Sequence, residues 1–150
     1  KSTIGLELAR ASGWPFLDAD DLHSPEARAK MAAGIPLDDD DRWPWYAILR
    51  KRIEAQRGAG KVYVLACSAL KAIYRDRLKD GDAPGQMAFV LMDGSQEVIA
   101  GRLAARKGHF MPPALLASQL ATLETTDDLL CINIEQSPEA MVDEILAALG

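Results

Sequence analysis

Apolar positions along this chain alternate between helical spacing and short continuous runs. In residues 3–11, Ile4, Leu6, Leu8 and Ala9 mark an amphipathic helix, and Gly13 supplies a C-terminal stop. WPFLDAD (14–20) is a short apolar run ending in carboxylates, which predicts a buried strand. Residues 25–33 read as a short helix ended by Gly34 and Pro36. From Arg42 to Arg57, Trp45, Ile48, Leu49 and Ile53 recur at helical spacing, with Asp40 or Asp41 as the expected cap. KVYVLAC (61–67) is β-branched and aromatic, hence a strand. Ser68 is expected to cap a helix carrying Leu70, Ile73, Tyr74 and Leu78. MAFVLM (87–92) is a third buried strand, and Ser95 caps a helix through Arg106. KGHFM (107–111) breaks the pattern, and a helix follows over about 113–123. Residues 130–134 form a fourth strand. Ser137-Pro138-Glu139 then opens a last helix reaching Leu149: a cap, a proline in the first turn and an acid near the positive end.

Strands alternating with helices predict one α/β domain over 1–150 with a mainly parallel sheet. In open parallel sheets, ligands bind outside the carboxyl ends of the strands. Asp18 and Asp20, Ser68 with Lys71, Asp93, and Glu135 follow the four strand runs. Polar groups therefore collect where such a sheet holds its ligand.

Composition narrows the class. The chain has 150 residues, 49% of them apolar and 26% charged, with a net charge of −5. That is ordinary globular composition, and the acidic balance argues against a general nucleic-acid binder. No apolar run reaches membrane-spanning length. Cys67 and Cys131 sit in strand-like runs and read as buried free thiols, which suits a reducing cytoplasm.

Several constellations carry candidate chemistry. Lys1-Ser2, followed at once by a helix, matches the end of a phosphate loop G-x-x-x-x-G-K-[ST], with Thr3 beside it. Asp18 and Asp20 are two apart at a strand end, so both carboxylates can face one site. There they can serve a Mg²⁺ shell and accept a proton, or simply form a solvated turn. His23 follows closely, as a substrate contact or a packed residue. Arg42 lies beside two tryptophans, where a guanidinium can be held against an anion; the tryptophans themselves read as core. Lys71 and Arg75 share one helix face, either as an anion site or as an exposed basic face. Arg102 and Arg106 are one turn apart next to Lys107 and Gly108. They suit a lid that stabilises a transferring phosphoryl group, or a basic helix end favoured by the dipole.

DADDLH (18–23), KMAAGIPLDDDDRWPW (30–45), CSALKAIYRD (67–76) and RKGHFMPPALLASQLATLE (106–124) together resemble the gluconokinases of the P-loop type, over nearly the whole chain and in order. The resemblance implies a three-layer α/β/α, nucleoside-monophosphate-kinase-like fold with a lid at about 106–123. It also implies ATP and Mg²⁺ as cofactors, D-gluconate phosphorylated at its 6-hydroxyl, and a homodimer. Carried over by position, Lys1 is the phosphate lysine, Ser2 the Mg²⁺ ligand with Asp18 in the metal shell, and Asp20 the base. Lys1, Ser2, Thr3 and Arg102 bind nucleotide. His23, Arg42, Lys71 and Arg75 hold the sugar acid with Asp18, and Arg102 and Arg106 act from the lid. Ala27 stands where the family commonly has asparagine. The loop glycines and a central first strand are expected upstream of Lys1. Shikimate-kinase-like and other small-molecule kinases of this fold share the same logic. A non-catalytic nucleotide-binding remnant is the reading if the native chain starts at Lys1.

Overall fold

A computed structural model describes residues 1–106 and 113–150. The chain runs α1 (Ser2–Ser12), β1 (Phe16–Asp18), a 3-10 turn (Ala19–Leu22), α2 (Pro25–Ala32), α3 (Asp39–Gly58), β2 (Val64–Ala66) and α4 (Ala72–Leu78). It continues with β3 (Phe89–Asp93), α5 (Gln96–Ala105), α6 (Pro113–Thr122), β4 (Leu129–Asn133) and α7 (Pro138–Leu149). KGHFM, expected to hinge a lid, lies outside the described residues.

β1 pairs with β2 and β3 with β4, both in parallel. Among the described residues no ladder joins β2 to β3, and the strands form two hydrogen-bonded pairs. The core nevertheless treats them as one layer. Val64 of β2 and Val90 and Met92 of β3 pack with Ile4 and Leu8 of α1 and Met141, Val142 and Ile145 of α7. Leu65, Cys67 and Phe89, one residue out of phase, pack the other way, on Trp45, Tyr46 and Leu49 of α3 and Tyr74 and Leu78 of α4. Side chains alternate across a strand, so this two-residue period puts helices on both faces. The runs expected as buried strands are half-buried over most of β1, β2 and β3. An unpaired edge leaves their flanks open.

Helix ends follow local chemistry. Gly13 closes α1 in the left-handed conformation at φ 75°, and its N–H donates to the Ala9 carbonyl. Ser24, Ser95 and Ser137 each accept from the backbone N–H three residues on. At α3 the cap is Asp38 rather than Asp40 or Asp41. Its carboxylate accepts from the Asp41 N–H at 2.8 Å while the Asp41 carboxylate accepts from the Asp38 N–H at 3.1 Å, a reciprocal capping box. Pro44 lies inside that helix, in its second turn, where it forfeits the bond that an N–H would make to the Asp40 carbonyl. Ser68 does not cap α4. The chain leaves β2 through a longer turn, with Ala69 at φ 34°, and Lys71 occupies the cap position without a side-chain bond. Cys67 packs against the α3–α4 core, but Cys131 is exposed on β4, so only one of the two thiols lies inside.

Candidate active site

α1 is seated closely on β1. A β-carbon added at Gly5 would stand 2.5 Å from the Phe16 ring, so glycine is what lets the helix approach. This packing brings the start of α1 to the carboxyl end of β1. Ser2 Oγ donates to the Asp18 carboxylate at 2.5 Å. Asp18, Asp20 and Arg106 all lie within electrostatic reach of Lys1. α1 has no side-chain cap, so its first N–H groups are free to meet an anion.

The strand ends earlier than the sequence suggested. Asp18 caps the 3-10 turn, its carboxylate accepting from the Asp20 N–H at 3.0 Å, and Asp20 stands on the turn itself. The shared orientation of two strand residues is thus replaced by a turn, because the first carboxylate captures the free N–H two residues on. Asp18 points back to Ser2, and the half-exposed Asp20 side chain points towards His23, 3.7 Å from its Nε2. His23 is buried and stacks on Trp45 with ring centroids 4.0 Å apart, and its Nδ1 has no partner among the described residues. Burial pushes its pKa down, against the pull of Asp20, with Arg42 next among the charges that reach it. Thr3 is exposed in the first turn of α1, and Arg102 is exposed in the last turn of α5.

Arg28 was not singled out from the sequence. It holds the turn from α2: Nε donates to the His23 carbonyl at 3.4 Å, and Nη2 to the Asp20 and Asp21 carbonyls at 3.3 and 3.0 Å. Ala27 beside it is buried, its N–H taken by Ser24. Trp45 closes the turn from above, its indole N–H donating to the Ala19 carbonyl at 2.8 Å.

A cavity of about 440 Å³ opens between the start of α3, the turn before α4, and α6. Arg42 and Lys71 both face it, and both lie over the Tyr74 ring, at 5.1 and 5.6 Å from its centroid. The Tyr74 hydroxyl donates to Asp39, and burial is the chief cause pushing its pKa up to about 12. Gln119, Ser118 and Thr122 of α6 supply neutral donors and acceptors on the far wall. Two cations beside hydroxyl-seeking groups suit a small molecule bearing one carboxylate and several hydroxyls. Arg42 is buried, with Nε donating to the Leu37 carbonyl at 3.2 Å. Its charge also reaches His23, so this cavity and the Asp20 turn are neighbours.

Arg75 is placed differently from the sequence expectation. Because Lys71 is the cap, Arg75 points back under the turn, 3% exposed. Nη1 donates to the Ala69 and Leu70 carbonyls, and Nη2 to the Glu124 carbonyl and to Thr126 Oγ1. It braces the wall of the cavity and does not line it.

A helix that begins in Lys-Ser against a strand-end carboxylate, on a parallel α/β sheet with a cationic polar cavity alongside, defines a kinase of the P-loop class. No family model matches the chain. The chain is 42% identical over 167 residues to a probable gluconokinase of Mus musculus, covering 99% of this chain and 91% of that one. It is 42% identical over 149 residues to a gluconokinase of Gluconobacter oxydans, covering 97% and 83%. The crystal structure of a gluconokinase from Sinorhizobium meliloti superposes with a TM-score of 0.86 at 44% identity, over 99% of this chain and 83% of that one. The chain belongs to the gluconokinase family.

Proposed function

We propose that this enzyme transfers the γ-phosphoryl group of ATP to the 6-hydroxyl of D-gluconate, releasing ADP and 6-phosphogluconate. The observation that carries the reading is the pairing of Ser2 with Asp18 at the start of α1, next to Asp20 and beside a cavity faced by Arg42 and Lys71. The names of the relatives supply the substrate.

In this reading 1–150 is one kinase domain with its lid at about 106–123. Lys1 and the free N–H groups at the start of α1, with Ser2 and Thr3, hold the phosphates. Arg42 and Lys71 hold the sugar-acid carboxylate, and the polar groups of α6 take its hydroxyls. The chain end bearing the 6-hydroxyl then reaches the turn, where Asp20 orients it and accepts its proton as the oxygen–phosphorus bond forms and the bond to ADP breaks. His23, under Trp45, backs the turn from behind. Arg106 and Arg102 approach the transferring group from α5, where charge spreads over its oxygens.

Mg²⁺ fits the donors present: a hydroxyl and a carboxylate are hard oxygen ligands, and the described residues hold no three-residue metal cage. Ser2 and Asp18 would hold it, through water or directly, and it supplies charge neutralisation for the phosphates. Among the described residues no helix is long and apolar enough to cross a membrane. The two free thiols favour a cytoplasmic location. The assembly implied by the resemblance is a homodimer, which light scattering measures directly.

The reading is tested by ADP release from the full-length enzyme with gluconate, shikimate or nucleoside monophosphates as acceptor. Gluconate alone should support turnover. Turnover on shikimate or a nucleoside monophosphate without gluconate would replace this function with another kinase activity of the same fold.

A further inference from the structure

We infer that Glu124 is a positioning residue for the sugar-acid cavity, acting with Arg75 as a clasp that fixes Lys71 relative to α6. This rests on the functional reading above. α4 begins without a cap from its own chain neighbourhood, because the cap residue, Lys71, makes no side-chain bond. The missing acceptor comes from 52 residues away: the Ala72 N–H donates to Glu124 Oε1 at 2.8 Å. The same residue is tied through its backbone on both sides. Its N–H donates to the Leu70 carbonyl at 2.7 Å, and its carbonyl accepts from Arg75 Nη2 at 2.7 Å. Arg75 completes the clasp, with Nη1 on the Ala69 and Leu70 carbonyls at 2.9 and 3.2 Å and Nη2 on Thr126 Oγ1 at 3.2 Å.

The location gives the clasp its consequence. Leu70, Lys71 and Tyr74 form one wall of the cavity, and Ser118, Gln119 and Thr122 of α6 form another. Glu124 lies two residues beyond the end of α6 and bonds to both flanks of Lys71. The turn it holds contains Ala69 in the left-handed region at φ 34°, a conformation that an L-residue keeps only when its surroundings enforce it. Without the clasp, the turn is free to relax and Lys71 to drift from the carboxylate it is meant to meet. Glu124 touches neither substrate nor nucleotide in this account. Its effect is transmitted through the backbone of Leu70 and Ala72.

The test compares Glu124→Ala, Glu124→Gln and Arg75→Lys in the full-length enzyme, measuring KM for gluconate, KM for ATP, kcat and Tm. Gln keeps an oxygen that can accept from Ala72. Lys keeps the charge of Arg75 but cannot span its four oxygens. Glu124→Ala and Arg75→Lys should raise the gluconate KM about tenfold, the equivalent of one lost hydrogen bond, with the ATP KM within about twofold of wild type. Glu124→Gln should restore most of the loss. A lowered Tm with an unchanged gluconate KM would overturn the inference and leave a purely structural brace, and so would equal rises in both KM values. If Glu124→Ala does not fold, Arg75→Lys decides alone by the same split. Should the wild type fail to phosphorylate gluconate, the functional reading falls; a wild type that turns gluconate over beside variants of unchanged KM removes only the clasp.

Discussion

At the residue scale, the site separates two carboxylates that the sequence presents as a pair. Asp18 is already committed to Ser2 and to the Asp20 N–H, whereas the half-exposed Asp20 carboxylate accepts no hydrogen bond from the described residues and stands 3.7 Å from His23 Nε2. Asp20→Asn should therefore lower kcat by about 10²–10⁴-fold, the usual contribution of a general base, with the ATP KM nearly unchanged. Asp18→Asn should instead raise the Mg²⁺ concentration needed for half-maximal rate. Measuring kcat against Mg²⁺ for each variant checks both, and rescue of Asp20→Asn by Mg²⁺ would reverse the roles. His23 carries a pH signature. Its folded pKa lies below the ordinary value of about 6.5 because burial disfavours the imidazolium. Between the two values the unfolded chain binds more protons than the folded one, so stability present above pH 6.5 is lost as the pH falls through the folded pKa. Urea midpoints should drop from pH 7.5 to 5.5 by more in the wild type than in His23→Gln. An equal drop would show that His23 titrates alike in both states.

At the scale of elements, what was legible in the sequence was local. Gly13, Ser95 and Ser137 end or begin helices where the sequence places them, because a cap needs only neighbours within three or four residues. The aspartate run illustrates the limit: any of four carboxylates can cap α3, and the choice of Asp38 comes from its reciprocal bond with Asp41, itself gripped by Lys30 at 2.9 Å. Asp38→Ala should cost about 1 kcal/mol, seen as a lower urea midpoint at unchanged m-value. No loss would mean that Asp39 or Asp40 takes over the cap. Arg75 and Arg28 show what was not legible. Helical spacing put Arg75 with Lys71 on an anion-binding face, but its partners include Glu124 and Thr126, about fifty residues on, and no periodicity encodes them. Arg28 reads as an exposed helix cation until the turn it braces is in place.

At the scale of the molecule, the alternation of strand and helix was enough for a parallel α/β fold, since hydrophobic period carries that information. The division of the described strands into two hydrogen-bonded pairs agrees with the sequence expectation of a central first strand upstream of Lys1, since two strands flanking such a strand have no ladder to each other. The site lies across three regions that fold together only through the core: α1 with β1, the turn braced by α2 and α3, and the cavity between α3, α4 and α6. The central claim is that this cavity holds the acid end of the substrate while the Asp20 turn receives its far hydroxyl. A crystal structure of the full-length enzyme with gluconate and a non-hydrolysable ATP analogue measures this directly. The account predicts the gluconate carboxylate within about 3 Å of the Arg42 guanidinium and the Lys71 ammonium, and the 6-hydroxyl within the same distance of the Asp20 carboxylate. Gluconate bound with its carboxylate at the Asp20 turn, or outside the α3–α4–α6 cavity, would contradict it.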